Sequence, residues 1–538
     1  MVNKNAQRQT RSIQLTAKTG LFGLVKFLLV AATMFVSVSI CSAAGGTVYF
    51  AQGSAGANNG SSCANAIALS AVTWTGGNTY HLCGTITSQV APTSGSAGNP
   101  VTLVFETGAM IKETACGSTG CINLNGRSYV VVDGSPNATP CGYVSGVDVP
   151  CNGTIQATGN GTGSGSSDSV GVFAKGGGTH IEVRNLNIIN MYVHTPVEDA
   201  PNVNTYAIWF DGSNNLIHNN IIHDTPCGVC EEASGSANSI YSNQIYNSNW
   251  GVFMSGAPSV NSITNIAVYS NDIHDFANWD TPNDDYHHDG LFVSGNTTNT
   301  DISHIDIYDN YLHGTTSSPS VCASVSSCMT AYAYINTDNH VRLFNNVFSL
   351  NQGDPGPANG AILMYVDDSD SLYNNTIMGG GVNGNNSNCV VLENGTNFTF
   401  ENNVVSSCPV LLWTNSATFA SINNNVYQNP SSLGLYWRNG TTYYTSLSAW
   451  QSVSGEGSSS VGTTGTLGLT SAFLSSVGSI VVKAASNLTG LSIAALDVDK
   501  VGTQRPSSGA WDAGAYQSGS ASAQQPPAAP TGLFATVQ

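Results

Sequence analysis

The nine residues "LIHNNIIHD" (216–224) decide the fold, because the chain repeats their pattern. Aligned on one asparagine, "SIYSNQIYN" (239–247), "AVYSNDIHD" (267–275), "DIYDNYLHG" (306–314), "RLFNNVFSL" (342–350), "SLYNNTIMG" (371–379), "TFENNVVSS" (399–407) and "SINNNVYQN" (421–429) follow. The asparagines are Asn220, Asn243, Asn271, Asn310, Asn346, Asn375, Asn403 and Asn425, spaced by 23, 28, 39, 36, 29, 28 and 22 residues. Apolar and polar residues alternate with the period of a strand, and glycine- and asparagine-rich stretches separate the segments. One such unit cannot bury its apolar side alone. Units stacked about 4.8 Å apart pair strand on strand and enclose one continuous core. The asparagine then marks one bend of every coil, where side-chain amides bond along the stack. It is also the expected left-handed turn residue.

These repeats resemble the pectin lyase-like superfamily of right-handed parallel β-helices, over roughly residues 46 to 516. The stretch "GNTYHLCGTITSQVAPTSGSAGNPVTLVFETGA" (77–109) resembles the entry coil of secreted polysaccharide lyases of that superfamily. The stretch "DVDKVGTQRPSSGAWDAGAYQ" (497–517) resembles the closing segment of bacterial β-helix proteins. The expected fold class is therefore all-β: a single-domain right-handed parallel β-helix, an asparagine-laddered solenoid with an N-terminal entry coil and a C-terminal closing segment. It occupies 45–517. The Ser/Ala/Pro-rich stretch 518–538 reads as a linker, and its last ten residues resemble only the first strand of a fibronectin type III module.

Residues 1–44 read as a secretory signal peptide. Lys4, Arg8, Arg11, Lys18 and Lys26 precede an apolar run from Phe27 to Ile40, and Ser42, Ala43 and Ala44 follow. That run is shorter than the ~18 residues of a membrane span, and no later segment reaches that length. The expectation is a secreted, extracellular monomer without membrane insertion. Five of the 14 Lys and Arg lie in the leader, so the exported chain would hold nine against 32 acids, a net charge of −23. Such a surface argues against nucleic acid and anionic membranes. Twelve cysteines remain, in pairs near in sequence: Cys63/Cys83, Cys116/Cys121, Cys141/Cys151, Cys227/Cys230, Cys322/Cys328 and Cys389/Cys408. An even count in an oxidising compartment predicts disulfides, and Cys227/Cys230 lacks the second CxxC of a metal ribbon.

A second strand precedes each ladder asparagine: "AIWFDG", "GVCEEA", "GVFMSG", "GLFVSG", "AYINTD", "MYVDDS", "VVLENG" and "LLWTNS". With the flanking aliphatics inward, Trp209, Cys230, Phe253, Phe292, Tyr334, Tyr365, Leu392 and Trp413 face outward. An aromatic column of this kind suits stacking on sugar rings, which makes a polysaccharide the expected partner, or the packing of loops over the sheet. The densest polar cluster, "DDYHHDGLFVSG" (284–295), runs into its middle strand. "HHDGL" is similar to the Asn-Thr-Asp-Gly-aliphatic turn of the superfamily's inverting polygalacturonases, and that resemblance makes Asp289 the catalytic position. His287 and His288 replace Asn-Thr, and the paired aspartates, Gly-His-Gly and Arg-x-Lys of those enzymes have no counterpart.

From the residues alone, glycoside hydrolysis needs two carboxyls, which Asp285 or Asp289 with Asp367 or Asp368 would supply. Lyase or epimerase chemistry needs a base, for which His288 is the candidate, and a cation on the uronate carboxylate. Between Arg184 and Arg438 the only Lys or Arg is Arg342. A lyase would thus need calcium on Asp280, Asp284, Asp285 or Asp354. Hydrolase is favoured over lyase because acids are plentiful and cations scarce. The alternatives are a solvated loop at 284–289 and a non-catalytic glycan-binding surface protein. His223, His274 and His313, with Tyr246 between, are expected to stack as a column, or to share a metal ion.

Overall fold

The computed structural model describes residues 45–134, 153–159, 168–191, 205–259, 262–276, 288–295, 301–314, 331–350, 360–379 and 388–519, and the backbone alone of 143–144, 147–148 and 329–330. The leader, Asp280, Asp284, Asp285, Asp354, and the pairs Cys141/Cys151 and Cys322/Cys328 lie outside the described residues.

The expected architecture forms. Among the described residues, thirty-seven strands make one sheet, almost wholly parallel, in which strands pair with their equivalents one coil away. One column runs through Ile217, Ile240, Val268, Ile307, Leu343, Leu372, Phe400 and Ile422 in unbroken register. All eight side chains are buried. They belong to a single apolar core that extends from Phe50 to Trp450. The chain is a right-handed parallel β-helix. Val48, Ile67, Leu69, Val72 and Trp74 pack on the core at its first coil. At the other end the helix Leu447–Ser454, capped by Ser446, inserts Trp450.

The ladder accounts for the bends. The backbone N–H of each asparagine from Asn220 to Asn403 donates to Oδ1 of the next at 3.0–3.1 Å. Each Nδ2 also donates to that Oδ1 and to a strand carbonyl, as Asn310 does to Val268 at 2.9 Å. Every polar atom of the ladder asparagine thereby gains a partner. The left-handed residue is not the ladder asparagine but the one before it: Asn219, Ser242, Ser270, Asp309, Asn345, Asn374, Asn402 and Asn424 have φ of 51–63°. The ladder position demands a donor and an acceptor in one short side chain; the left-handed position demands tolerance of positive φ.

The expected closing segment lies lengthwise along the side of the solenoid. Lys500 Nζ donates to the Asp309 carbonyl, Arg505 to Asn345 Oδ1 at 2.8 Å, and Gly514 N–H to the Asn402 carbonyl at 2.8 Å. Leu467, Val481 and Trp511 cover a second aromatic stack, Tyr241, Tyr269, Tyr308 and Phe344, with centroids 4.8–4.9 Å apart. Four of the six expected disulfides are described, Cys63–Cys83, Cys116–Cys121, Cys227–Cys230 and Cys389–Cys408.

Two outcomes follow for stability. Asn310→Ala leaves buried amide partners on both neighbouring coils unmatched, at about 1–3 kcal/mol for each group. It should lower the denaturation midpoint by more than any single outward polar substitution. Non-reducing peptide mapping should recover the four bridges; free thiols at Cys389 and Cys408 would contradict the structure.

Candidate functional site

The strand that precedes each ladder segment carries one unpaired residue, with the register unchanged on either side of it. Pairing skips Ala207, Gly228, Gly251, Gly290 and Tyr332 in successive coils. The skipped residue faces the core. A Cβ on Gly228, Gly251 or Gly290 would meet Ile245, Ile273 or Leu312 at 2.6–2.7 Å. The next residue, Val229, Val252 or Leu291, is inward as well. Two consecutive inward residues bring the residues on either side, three apart, to the outer face. The face therefore has two columns: Tyr206, Cys227, Trp250, Asp289 and Ala331 beside Trp209, Cys230, Phe253, Phe292 and Tyr334. Contacts bridge them, with Tyr206 stacked on Trp209 at 4.5 Å and Trp250 on Phe253 at 4.7 Å. The Cys227–Cys230 disulfide joins the same two positions.

The aromatic column differs from expectation in two ways. Beyond Tyr334 it continues through Leu363, Val391 and Trp413, not Tyr365 and Leu392. Tyr365 pairs with Asn336 and Glu393 and is 37% exposed, whereas Leu392 lies in the core. Adjacent apolar residues in "AILMYV" hide the phase. The column is also not an open platform, since Phe253 and Phe292 are only 8% and 7% exposed. Rings one coil apart cover one another, at 5.0 Å for Phe253–Phe292 and 5.1 Å for Phe292–Tyr334. What reaches the surface is the edge of Trp209, Trp250 and Tyr334, all half-buried. Trp209 is fixed by Nε1 donating to Glu232 at 2.8 Å, with Lys175 5.2 Å from its ring centroid.

Asp289 stands where the preceding coils have Trp250 and Cys227. It is fully buried, and its Oδ1 accepts the Ala331 N–H at 3.1 Å. That bond links the cluster to the next coil, so Asp289 and His288, also buried, are not part of a solvated loop. The Tyr334 phenol is pushed up to about 12, first by burial and then by the negative charges of Asp289 and Asp367. It is therefore a neutral hydrogen-bond donor at any physiological pH.

Asp367 departs from the pairing expected for it. Its side chain belongs to an interior group with Asp338 and Asp370, not to the outer columns. Asp368 instead accepts bonds from Thr396 and Asn397. The described face thus holds Asp289 in one column and Glu232 against Trp209 in the other, and the expected partner Asp367 is not among its carboxyls. His223, Tyr246, His274 and His313 do form a stack, with centroids 4.6, 5.1 and 4.9 Å apart. A carboxylate holds each imidazole at 2.7 Å: Asp224 on His223, Asp275 on His274 and Asp272 on His313. Glu231, which no motif marks, is inward at the position of Phe210 and Met254, and burial raises its carboxyl to about 8.

No family model and no curated protein matches the chain. Among solved structures it is similar to pectate lyase Pel9A, at 14% identity and a TM-score of 0.39, covering 88% of this chain and 97% of that one. The A-module of the Azotobacter vinelandii mannuronan C-5 epimerase AlgE6 gives 13% and 0.39, over 72% and 90%. The tailspike of Escherichia coli bacteriophage HK620 gives 10% and 0.38, over 72% of each chain. No residue role is transferred from them.

The packing separates two roles within the column. Phe292→Ala empties a buried ring site and should destabilise the chain by about 3–5 kcal/mol. Tyr334→Phe keeps the stack and should leave the denaturation midpoint nearly unchanged. Equal midpoints for wild type and Phe292→Ala would contradict the stacked, buried geometry.

Proposed function

We propose that the chain is a secreted carbohydrate-active enzyme acting on a polysaccharide laid along the edges of Trp209, Trp250 and Tyr334. The observation that carries this reading is Asp289: an aspartate in a position that neighbouring coils fill with tryptophan and cysteine, beside stacked rings. Aromatic edges bind the faces and rims of sugar rings, a carboxyl beside them transfers a proton, and a neutral phenol donates to a hydroxyl or glycosidic oxygen. Asp289 is assigned the acid–base role, and Tyr334 the orientation of substrate.

Hydrolysis is favoured over elimination. Elimination needs a cation on the uronate carboxylate, and the nearby candidates are engaged: Lys175, beside Trp209, by Asp211 at 3.7 Å, and Arg342, the only Lys or Arg between Arg184 and Arg438, by Asp306 at 2.6 Å. Hydrolysis needs a second carboxyl, and with Asp367 turned inward that role falls to Asp285, in the segment leading to His288. His288 is the base of the lyase alternative, with calcium on Asp280 and Asp284. A second reading, a glycan-binding face without catalysis, uses the same half-buried Trp209, Trp250 and Tyr334 and needs no second carboxyl, while burial of Phe253 and Phe292 assigns those two rings to packing.

A polysaccharide panel scored separately for reducing ends and for unsaturated uronates discriminates these readings. Reducing ends without unsaturation are expected. Asp289→Asn, with an unchanged denaturation midpoint, should lower turnover by roughly 10²–10⁴. Unsaturated products that disappear on chelation would replace hydrolase by calcium-dependent lyase. Binding without turnover, unaltered in Asp289→Asn, would leave the non-catalytic reading.

A further inference from the structure

The interior of the solenoid contains three aspartates at positions that neighbouring coils fill with hydrocarbon. Asp338 and Asp367 succeed one another in register, in the column that begins with the buried Ile263 and Ile302. Asp370 continues the column of Ile266, Ile305 and Val341, which passes to Phe398. All three are 0–2% exposed, and one ligand oxygen from each lies within 4.8 Å of the others. Left-handed residues Thr337 and Val366 precede Asp338 and Asp367 at the bend.

A comparison within one column shows what is missing. Further up, Asn215 and Asn238 occupy the column that Asp370 later takes. Asn215 Oδ1 accepts the Ile181 N–H at 2.9 Å, and its Nδ2 donates to the carbonyls of Gly178 and Asp211. Asp370 repeats the acceptor half, taking the Val341 N–H at 2.7 Å. It has no donor half. Among the described residues its Oδ2 meets no N–H or O–H donor, nor does either oxygen of Asp338 or Asp367; Asp338 and Asp370 lie in hydrogen-bonding reach of each other, a contact that only a shared proton would complete. The N–H groups of Thr337 and Asp338 offset the Asp367 charge in part, without reaching normal hydrogen-bond geometry. No ion pair among the described residues involves any of the three.

We propose that Asp338, Asp367 and Asp370 bind a hard divalent cation, calcium by its ligand chemistry, inside the solenoid, where it ties two consecutive coils. Unpaired buried carboxylates are too costly to persist as anions, so a cation or protons must neutralise them. Oxygens within 4.8 Å of each other can surround one ion at the 2.3–2.6 Å typical of calcium–oxygen contacts. An all-carboxylate set selects a hard ion over a soft one. The metal-free protein has a distinct signature. Burial first, and then mutual repulsion, raises all three carboxyls well above their ordinary range. The folded state then holds protons that the unfolded chain has released, so metal-free stability falls as pH rises above the ordinary carboxylate range. A bound cation removes that dependence. This site is separate from the outer columns and does not rest on their role.

The test uses the full exported chain, stripped with EGTA and titrated with calcium chloride, with magnesium chloride as comparator. Wild type should bind one more calcium per chain than Asp338→Asn. Its thermal midpoint at pH 8 should rise by several degrees with calcium and fall again on chelation, while the variant responds to neither. Equal stoichiometry in wild type and variant would overturn the proposal. So would a wild-type midpoint indifferent to calcium at pH 8, together with a variant that is more stable, the behaviour of a proton-sharing cluster. Should Asp338→Asn not fold, Asp367→Asn takes its place, and the wild-type titration alone still decides whether calcium stabilises the chain.

Discussion

The structure depends on one constraint: every coil must present to the next a bend whose buried polar groups are already paired. A strand pairs its own backbone by translation along the stack, but a bend does not. The ladder asparagine solves this with one side chain that accepts from the coil before and donates to the coil after. Once that bend repeats, the rest of the coil is fixed by translation, and like residues stack on like. The outward residue just before each ladder asparagine becomes a row of polar corners, and the closing segment docks on those corners. The aromatic residue two before it becomes a stack of rings, which the same segment covers.

Much of this was legible in the sequence because translation writes a column of equivalent residues as a repeat. The asparagines and the histidine column could be placed from spacing alone, whereas the spacing of Cys227 and Cys230 left a bridge and two loop thiols both open. What was not legible came from local breaks in the period of two. The skipped residue at Gly228, Gly251 and Gly290 puts two neighbours inward and moves Trp250 and Asp289 to the outside, where strict alternation would bury them. Runs of adjacent apolar residues, "AILMYV" and "CVVL", made Tyr365 and Leu392 look like members of a column that runs through Leu363 and Val391. The aromatic stack under the closing segment was written in the repeats "SIYSN", "AVYSN", "DIYDN" and "RLFNN", but its cover lies more than a hundred residues further along.

The candidate site was legible in kind and not in geometry. "HHDG" announced a carboxylate at the mouth of an aromatic strand, and Asp289 is there. Its expected partner Asp367 was drawn from "MYVDDS", where two acids adjoin and only one can face outward. The left-handed bend at Val366 turns Asp367 into the interior, and Asp368 takes the outer position with Thr396 and Asn397. A backbone dihedral decided the assignment, and no composition or spacing rule reports it.

A solenoid makes polar exceptions easy to find, because each residue can be compared with those directly above and below. By that comparison four acids stand out: Glu231 between Phe210 and Met254, Asp338 and Asp367 below Ile302, and Asp370 below Val341. Glu231 has a donor from Asn238 at 2.7 Å, and burial keeps its carboxyl protonated at neutral pH. The other three form a group with no donor able to serve all of them. In a chain with 32 acids and 14 Lys and Arg, side-chain cations cannot supply the missing charge everywhere. The interior group therefore calls for charge from outside the chain, which is what the proposed cation would bring.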